Sequence, residues 1–373
     1  MYFKDVVGQK TIKEKLISSV NRDKISHGQL ISGLPGSGGL PLALAFARYL
    51  NCRNKGETDS CGECDDCKKM NKYIHPDLNF TFPVIPKKSG SPPISAEYLE
   101  PWRETILKHP YINYQEWMQQ LNAENRQGNI TVSEGREIIK KCHMQPFLGG
   151  YKIFLIWLPE FLRESGNVLL KVLEEPPGDA VFLLVTENPG MVLTTILSRT
   201  QQIFLPRLSD EDIKEGLKAR LDVGDQEATQ IAYLSDGNFN KALKNAKEGF
   251  ENNHFEEFRE WSRLCYSINP VPLMEKVEKM AASGRETQKN FLFYALQIIR
   301  ESMLVNESNG QLNRLSGEEE EFAKKFSKVV NRNNLPEITE ALEKAHYYIE
   351  RNANAKIVML NLSLQMHKLL KIS

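Results

Sequence analysis

The spacing of apolar positions divides this chain into stretches of different architecture. Up to about residue 206, short apolar runs alternate with amphipathic segments. Residues 29–31, 152–156 and 181–186 are near-continuous apolar runs, as expected of parallel strands covered on both faces. Residues 77–82 alternate as a strand, and 202–205 form a last short one. Between them, helices are predicted over 11–20, with Ile12, Leu16 and Val20 on one face, and over 40–50, 134–144 and 160–173. The last of these stops at Pro176-Pro177, because proline cannot continue a helix. The stretch 83–93 reads as a mobile loop that opens an insertion over about 84–128. Short helices at 98–107 and 114–123 follow, with Trp102 and Trp117 covering apolar surface. Beyond Pro206 the pattern is helical only: 210–221, 226–235 and 240–248, then long amphipathic helices from 250 to 373. Trp261, Leu264, Phe291, Phe293, Leu296, Ile338, Leu342 and residues 360–370 form their apolar faces. This predicts an α/β domain over 1–206, a small helical domain over 207–249 and an all-helical domain over 250–373.

The first apolar run leads into Ser32-Gly33-Leu34-Pro35-Gly36-Ser37-Gly38-Gly39-Leu40. Set against G-x-x-x-x-G-K-[ST], Gly33 and Gly38 fall in place, and the strand–loop–helix order is the one a phosphate-binding loop needs. The lysine that would reach the β/γ-phosphates is Gly39, and the hydroxyl that would hold Mg²⁺ is Leu40. Backbone N–H groups could still form an anion nest at the helix start, around Gly36. A triphosphate would nevertheless find little to neutralise it. The strand at 152–156 would end in two acids in an active ATPase of this kind; here it runs into Trp157 and Leu158, and Glu160 lies two positions too far on. The residues thus read as a P-loop ATPase fold that no longer hydrolyses ATP.

Between the loop helix and the second strand lie Cys52, Cys61, Cys64 and Cys67, four of the six cysteines in the chain. Two short C-x-x-C steps can aim four sulfurs at one centre, and four sulfur ligands leave no open coordination position. A structural zinc (Zn) site is expected, since the polar segment around these cysteines has no core of its own. Lys plus Arg equals Asp plus Glu at 48 each, so bulk charge does not drive the chain onto nucleic acid or membrane. There is no N-terminal apolar signal region and no apolar run of about eighteen residues. The expectation is a soluble, cytoplasmic chain with no membrane partner.

Taken together, Asp5-Val6-Val7-Gly8-Gln9, the Gly33–Gly38 loop, the four inserted cysteines, Leu169-Leu170-Lys171-Val172-Leu173-Glu174-Glu175-Pro176-Pro177 and Ser198-Arg199-Thr200 resemble a known family. They are similar to the AAA+ clamp-loader subunits of bacterial DNA polymerase III, specifically the delta-prime kind. The resemblance covers most of the chain outside the insertion. It implies an AAA+ P-loop domain with an inserted zinc knuckle, a helical lid and an all-α collar that joins a hetero-pentamer. By this resemblance Ser198 and Arg199 match a motif whose arginine acts as a finger on ATP held by a neighbouring subunit, with Thr200 in place of a cysteine. Asn188 takes the sensor position. Asn240 replaces the lid arginine that would touch the chain's own nucleotide. ATP is then bound only by partner subunits. The partners implied are the clamp-loader motor and delta subunits, the sliding clamp, and primed DNA reached through the assembly. The chain would have no intrinsic activity but would be part of the DNA polymerase III holoenzyme. Two rival readings remain open at this point: an active motor-type AAA+ ATPase with an unusual P-loop, and a zinc-dependent nucleic-acid binding module on a dead ATPase scaffold.

Overall fold

The apolar runs become strands β1 (Gly28–Gly33), β2 (Leu78–Thr81), β3 (Lys152–Trp157), β4 (Ala180–Thr186) and β5 (Gln201–Leu205). They form one parallel sheet in the order β2-β3-β4-β1-β5. A computed structural model of the chain describes residues 1–87, 92–123, 126–248, 254–307, 315 and 317–371. The chain forms two units, Met1–Glu248 and Gly249–Ser373. The sheet lies in the first. Strands β3 and β4 are buried along their whole length, whereas edge strand β5 exposes Gln201, Gln202 and Phe204. Parallel strands need crossover connections, and here helices cover both faces. Helix Gly39–Asn51 packs on one face, among a core that includes Leu44, Ile31 and Leu155. Helix Val132–Cys142 contributes Ile138 and Cys142 to a second core on the other face, with Phe154, Phe182 and Ile196. Because β1 lies between β4 and β5, the chain reverses strand order beside it. The crevice at the C-terminal end of β1 is where such sheets bind ligands.

The insertion closes at its base, where Val84 and Asn129 form an antiparallel bridge with N···O distances of 3.1 and 3.0 Å. Helices Leu99–Lys108 and Tyr114–Gln120 follow the expected ones closely. Trp102 and Trp117 are fully buried, as expected. Part of the predicted 83–93 loop and of the 84–128 insertion, residues 88–91 and 124–125, lies outside the described residues, as does the 249/250 domain boundary. One predicted helix is not continuous. Residues 160–173 form a 3-10 run over Pro159–Leu169, with the backbone turned at Arg163 (φ 46, ψ −139), and then a short helix, Leu170–Glu174. The bend lets Gly166 lie so close to Leu193 and Ile196 that even a Cβ would come within 3.0 Å of each.

After β5, helices Asp210–Lys218, Asp225–Ser235 and Phe239–Glu248 belong to the first unit. In the second unit the described residues form helices His254–Ser267, Pro270–Ala282, Arg285–Glu307, Glu318–Phe326, Leu335–Glu350 and Ala355–Leu369. Trp261 is fully buried there and donates its indole N–H to Ser363 Oγ at 2.8 Å. Among the described residues, no helix is long and apolar enough to cross a membrane.

Candidate functional site

The loop after β1 is built from turns that only glycine fits well. Gly36 and Gly38 take left-handed φ values of 76° and 97°, and Gly38 caps the start of helix Gly39–Asn51. The side-chain amide of Gln9 donates to the carbonyls of Ser37 (3.1 Å) and Pro206 (2.9 Å), binding the N-terminal segment, the loop and the exit of β5 together. Residues of helix Phe239–Glu248 press on the loop from above. Phe239 N–H donates to the Gly36 carbonyl at 3.1 Å, and a Cβ on Gly36 would fall 2.0 Å from Asn238 Oδ1. Tyr111, from the insertion, fills the space that remains. Its hydroxyl accepts the Val7 N–H at 2.8 Å, and its ring packs edge-on to Phe239 at 4.8 Å. A cavity of about 20 Å³ is left, lined by the loop glycines, Leu40, Tyr111, Trp157, Thr186 and Glu187. That is room for about one water molecule, not a triphosphate. None of its lining residues is basic.

The neighbouring strand ends offer no metal-binding pair of acids to this space. Trp157 and Leu158 are both buried, and the Trp157 indole lies 5.0 Å from that of Trp102, which in turn stacks on Phe82 at 4.2 Å. The carboxylate of Glu160 is engaged by Thr186 Oγ1 (2.9 Å) and Glu187 N–H (3.3 Å), while Asn188 keeps an exposed side chain. Burial, and then the charges of Glu160 and Glu116, push the Glu187 carboxyl up to about 7. A carboxyl group so placed repels an anion whenever it ionises. Asn240 is buried and hydrogen-bonded to His109 Nε2 (2.6 Å) and Glu116 Oε2 (2.8 Å); Lys244 pairs with Glu116 Oε1 at 2.7 Å. No sequence signal marks Tyr111, His109 or Glu116. They belong to no motif, and only a fold that brings the insertion onto the loop gives them a role.

The four cysteines do come together. Their sulfurs all lie within 4.8 Å of one another, with Cys52–Cys61 at 3.5 Å and Cys61–Cys67 at 3.9 Å. Tetrahedral zinc at its usual Zn–S length separates sulfurs by about 3.8 Å, so the set fits a single metal ion. The spacing is far too long for disulfides, and all four thiols are free. Backbone N–H groups of Cys61, Cys64 and Cys67 point at the sulfurs of Cys52, Cys61 and Cys64, at 3.3, 3.4 and 3.5 Å. Such donors stabilise thiolates, and those of Cys64 and Glu63 hold the Cys61 thiol down. The chemistry of this set is that of a closed, four-sulfur site, in which the metal would order the segment and take no part in catalysis.

Arg199 stands elsewhere. It precedes β5, whose first residue, Gln201, lies opposite Gln29 at the start of β1, whereas the loop follows the other end of β1. One strand of this length separates them by roughly 17 Å. Its guanidinium pairs with Glu174 (2.5 Å) and donates to the Thr195 carbonyl (3.0 Å) and Ser198 Oγ (3.3 Å), while Ser198 donates to Thr195. Thus the structure brings the loop, Trp157, Leu158 and Asn240 to one end of the sheet and leaves Ser198 and Arg199 at the other.

Comparison with known proteins adds relatives to this geometry. The family model described as DNA polymerase III, delta subunit, matches residues 8–209. DNA polymerase III subunit gamma of Buchnera aphidicola subsp. Acyrthosiphon pisum is 29% identical over 248 residues, 65% of this chain and 57% of that protein. DNA polymerase III subunit delta' of Escherichia coli is 28% identical over 193 residues, 52% of this chain and 46% of that protein. The chain therefore spans about half the length of these curated relatives. Among solved structures, a DNA polymerase III gamma subunit-related protein of Thermotoga maritima aligns over 98% of this chain and 100% of its own, at 16% identity and a TM-score of 0.37. A likeness that distant adds nothing to the family match.

Proposed function

This chain belongs to the DNA polymerase III, delta subunit family, and on that premise we propose that it is a clamp-loader subunit of the delta-prime kind. It hydrolyses no ATP itself and presents Arg199 to ATP held by a neighbouring motor subunit while the sliding clamp is loaded on primed DNA. The curated relatives carry both gamma and delta' names, so the choice between an ATP-hydrolysing and a non-hydrolysing subunit rests on the site. The observation that carries it is the contrast between the two ends of the sheet. At the C-terminal end of β1 the loop has Gly39 and Leu40 at the motif's lysine and hydroxyl positions, holds about 20 Å³, and is filled by Tyr111. At the opposite end stands an arginine too far away to serve that loop.

An arginine delivered in trans neutralises the charge that develops on a transferring phosphoryl group, worth about 10³–10⁵ in rate. In the free chain the fork of Arg199 is held by Glu174. Exchanging a carboxylate for phosphate oxygens keeps the same hydrogen-bonding geometry. Cys52, Cys61, Cys64 and Cys67 hold a structural zinc in this reading. Residues 207–249 act as a lid locked by the insertion, and 250–373 form the collar that joins motor and delta subunits in a hetero-pentamer. The assembly works in the cytoplasm and meets DNA through backbone phosphates.

The test is clamp- and DNA-stimulated ATP hydrolysis by the reconstituted loader, with this chain as wild type or as Arg199→Ala. Loss of tenfold or more in turnover, with the complex intact by gel filtration, is expected. Unchanged turnover would reduce Arg199 to the surface ion pair it makes with Glu174.

A further inference from the structure

Two arginine or lysine side chains are buried among the described residues, Arg48 and Lys152. Lys152 is fully satisfied: its ammonium donates to the carbonyls of Lys141, Met144 and Gln145 at 3.1, 2.6 and 3.1 Å. Arg48 is not. It is 1% exposed, and none of its three guanidinium nitrogens has a hydrogen-bond partner among the described residues. Arginine cannot shed its proton inside a protein, so this charge stays, and an uncompensated buried charge is strongly unfavourable. The ring of Tyr2 covers one face of the guanidinium, with Cζ 3.5 Å from the centroid. Such stacking serves the face of the cation and leaves its in-plane N–H groups without acceptors.

What lies at that edge is the cysteine cluster. Arg48 sits four residues before Cys52 on helix Gly39–Asn51, hence one turn back on the same face. Gly62, next to Cys61, is so near that a Cβ there would lie 3.3 Å from Arg48 Nη2 and 2.2 Å from the Tyr2 hydroxyl. The Arg48 guanidinium also reaches the Cys67 sulfur, without the geometry that would satisfy any of its nitrogens. The nearby acid is already taken, since Asp66 is held by Arg53 (2.6 Å) and His75 (3.3 Å).

Resting on the zinc reading above, we propose that Arg48 is the buried counter-cation of the metal–thiolate centre, with Tyr2 as its cover. Four thiolates around one divalent ion leave two net negative charges, and a centre so charged must be compensated when it is buried. The polar N–H edge of Arg48 supplies compensation as charge-assisted contacts to sulfur, while the acids beside the cluster do not. The metal-free fold and the loaded fold then place opposite demands on this position: a liability without metal, a support with it. Outer partners of this sort change metal affinity by about 10–100-fold when removed.

The experiment compares wild type, Arg48→Met and Arg48→Lys as full-length chains. Zinc content and competition against a chromophoric chelator give affinity; the sulfur-to-cobalt charge-transfer bands of Co²⁺-loaded protein report the four-sulfur set. Thermal melts are recorded with and without metal. Arg48→Met is expected to bind Zn²⁺ and Co²⁺ ten- to a hundredfold more weakly while melting no lower than wild type in the metal-free state. Arg48→Lys, which keeps the charge but loses the planar fork, should fall between. Equal metal affinity in all three, or an equal loss of stability with and without metal, would overturn the role of Arg48 and leave the zinc reading standing. A wild-type chain that takes up neither ion would instead sink the zinc reading itself.

Discussion

Glu187 lies beside the filled loop, and the charges that act on it, those of Glu160 and Glu116, are of its own sign. Burial first, and these carboxylates second, raise its pKa to about 7. The folded state therefore holds this proton more tightly than the unfolded chain, so stability falls as pH rises from about 4.5 to about 7. Glu187→Gln should then melt higher than wild type at pH 8 and nearly alongside it at pH 5. A difference of the same size at both values would mean that titration is not the cause. Single residues such as Gly33, Gly38, Arg199 and the four cysteines could be picked out of the chain because a motif announces each of them. Tyr111, Arg48 and Lys152 could not. A tyrosine in an insertion and an arginine on an Ala- and Leu-rich helix acquire meaning from what the fold sets beside them.

Elements were legible wherever one periodicity ruled. All five strands form where they were expected: β1, β3 and β4 because an apolar run covered on both faces has little other way to bury itself, and β2 from its alternation, while edge strand β5 stays partly exposed. The segment 160–173 has the pattern of a helix and folds as two pieces, since its place against Leu193 and Ile196 outweighs local propensity. The contact between the insertion and helix Phe239–Glu248 is also a tertiary matter, and it carries a charge that can be tested. Burial alone would raise the Glu116 carboxyl, but the nearby His109 ring (3.7 Å), the ion pair with Lys244 and the hydrogen bond from the Asn113 N–H bring it down to about 2. A depressed folded pKa means stabilisation that is complete above the unfolded value and is lost as pH falls through the folded one. Wild type should accordingly lose stability between about pH 4.5 and about pH 2 by a component that Glu116→Gln lacks. Acid titrations followed by circular dichroism would decide, since parallel curves for the two proteins would leave Glu116 without a role.

At the scale of the whole molecule, the sheet sets two candidate positions apart: a filled loop at one end and an arginine at the other. If Arg199 works on a neighbour's nucleotide, it must first leave Glu174. Glu174→Gln should then keep or raise the stimulated ATPase of the reconstituted loader, while Arg199→Ala lowers it. A loss in both would make their ion pair, rather than the free arginine, the working unit. By itself the sequence determined the fold class, the cysteine set and the chemistry missing from the loop. Each of these is written in local spacing or in residue identity at a motif position. Only the tertiary structure decided that Tyr111 occupies the loop, that Glu116 and His109 clasp Asn240, and that Arg48 is stranded beside four sulfurs. The physical reason is range: these contacts join segments up to 131 positions apart, and no periodicity along a chain encodes which distant side chains a packed core will press together.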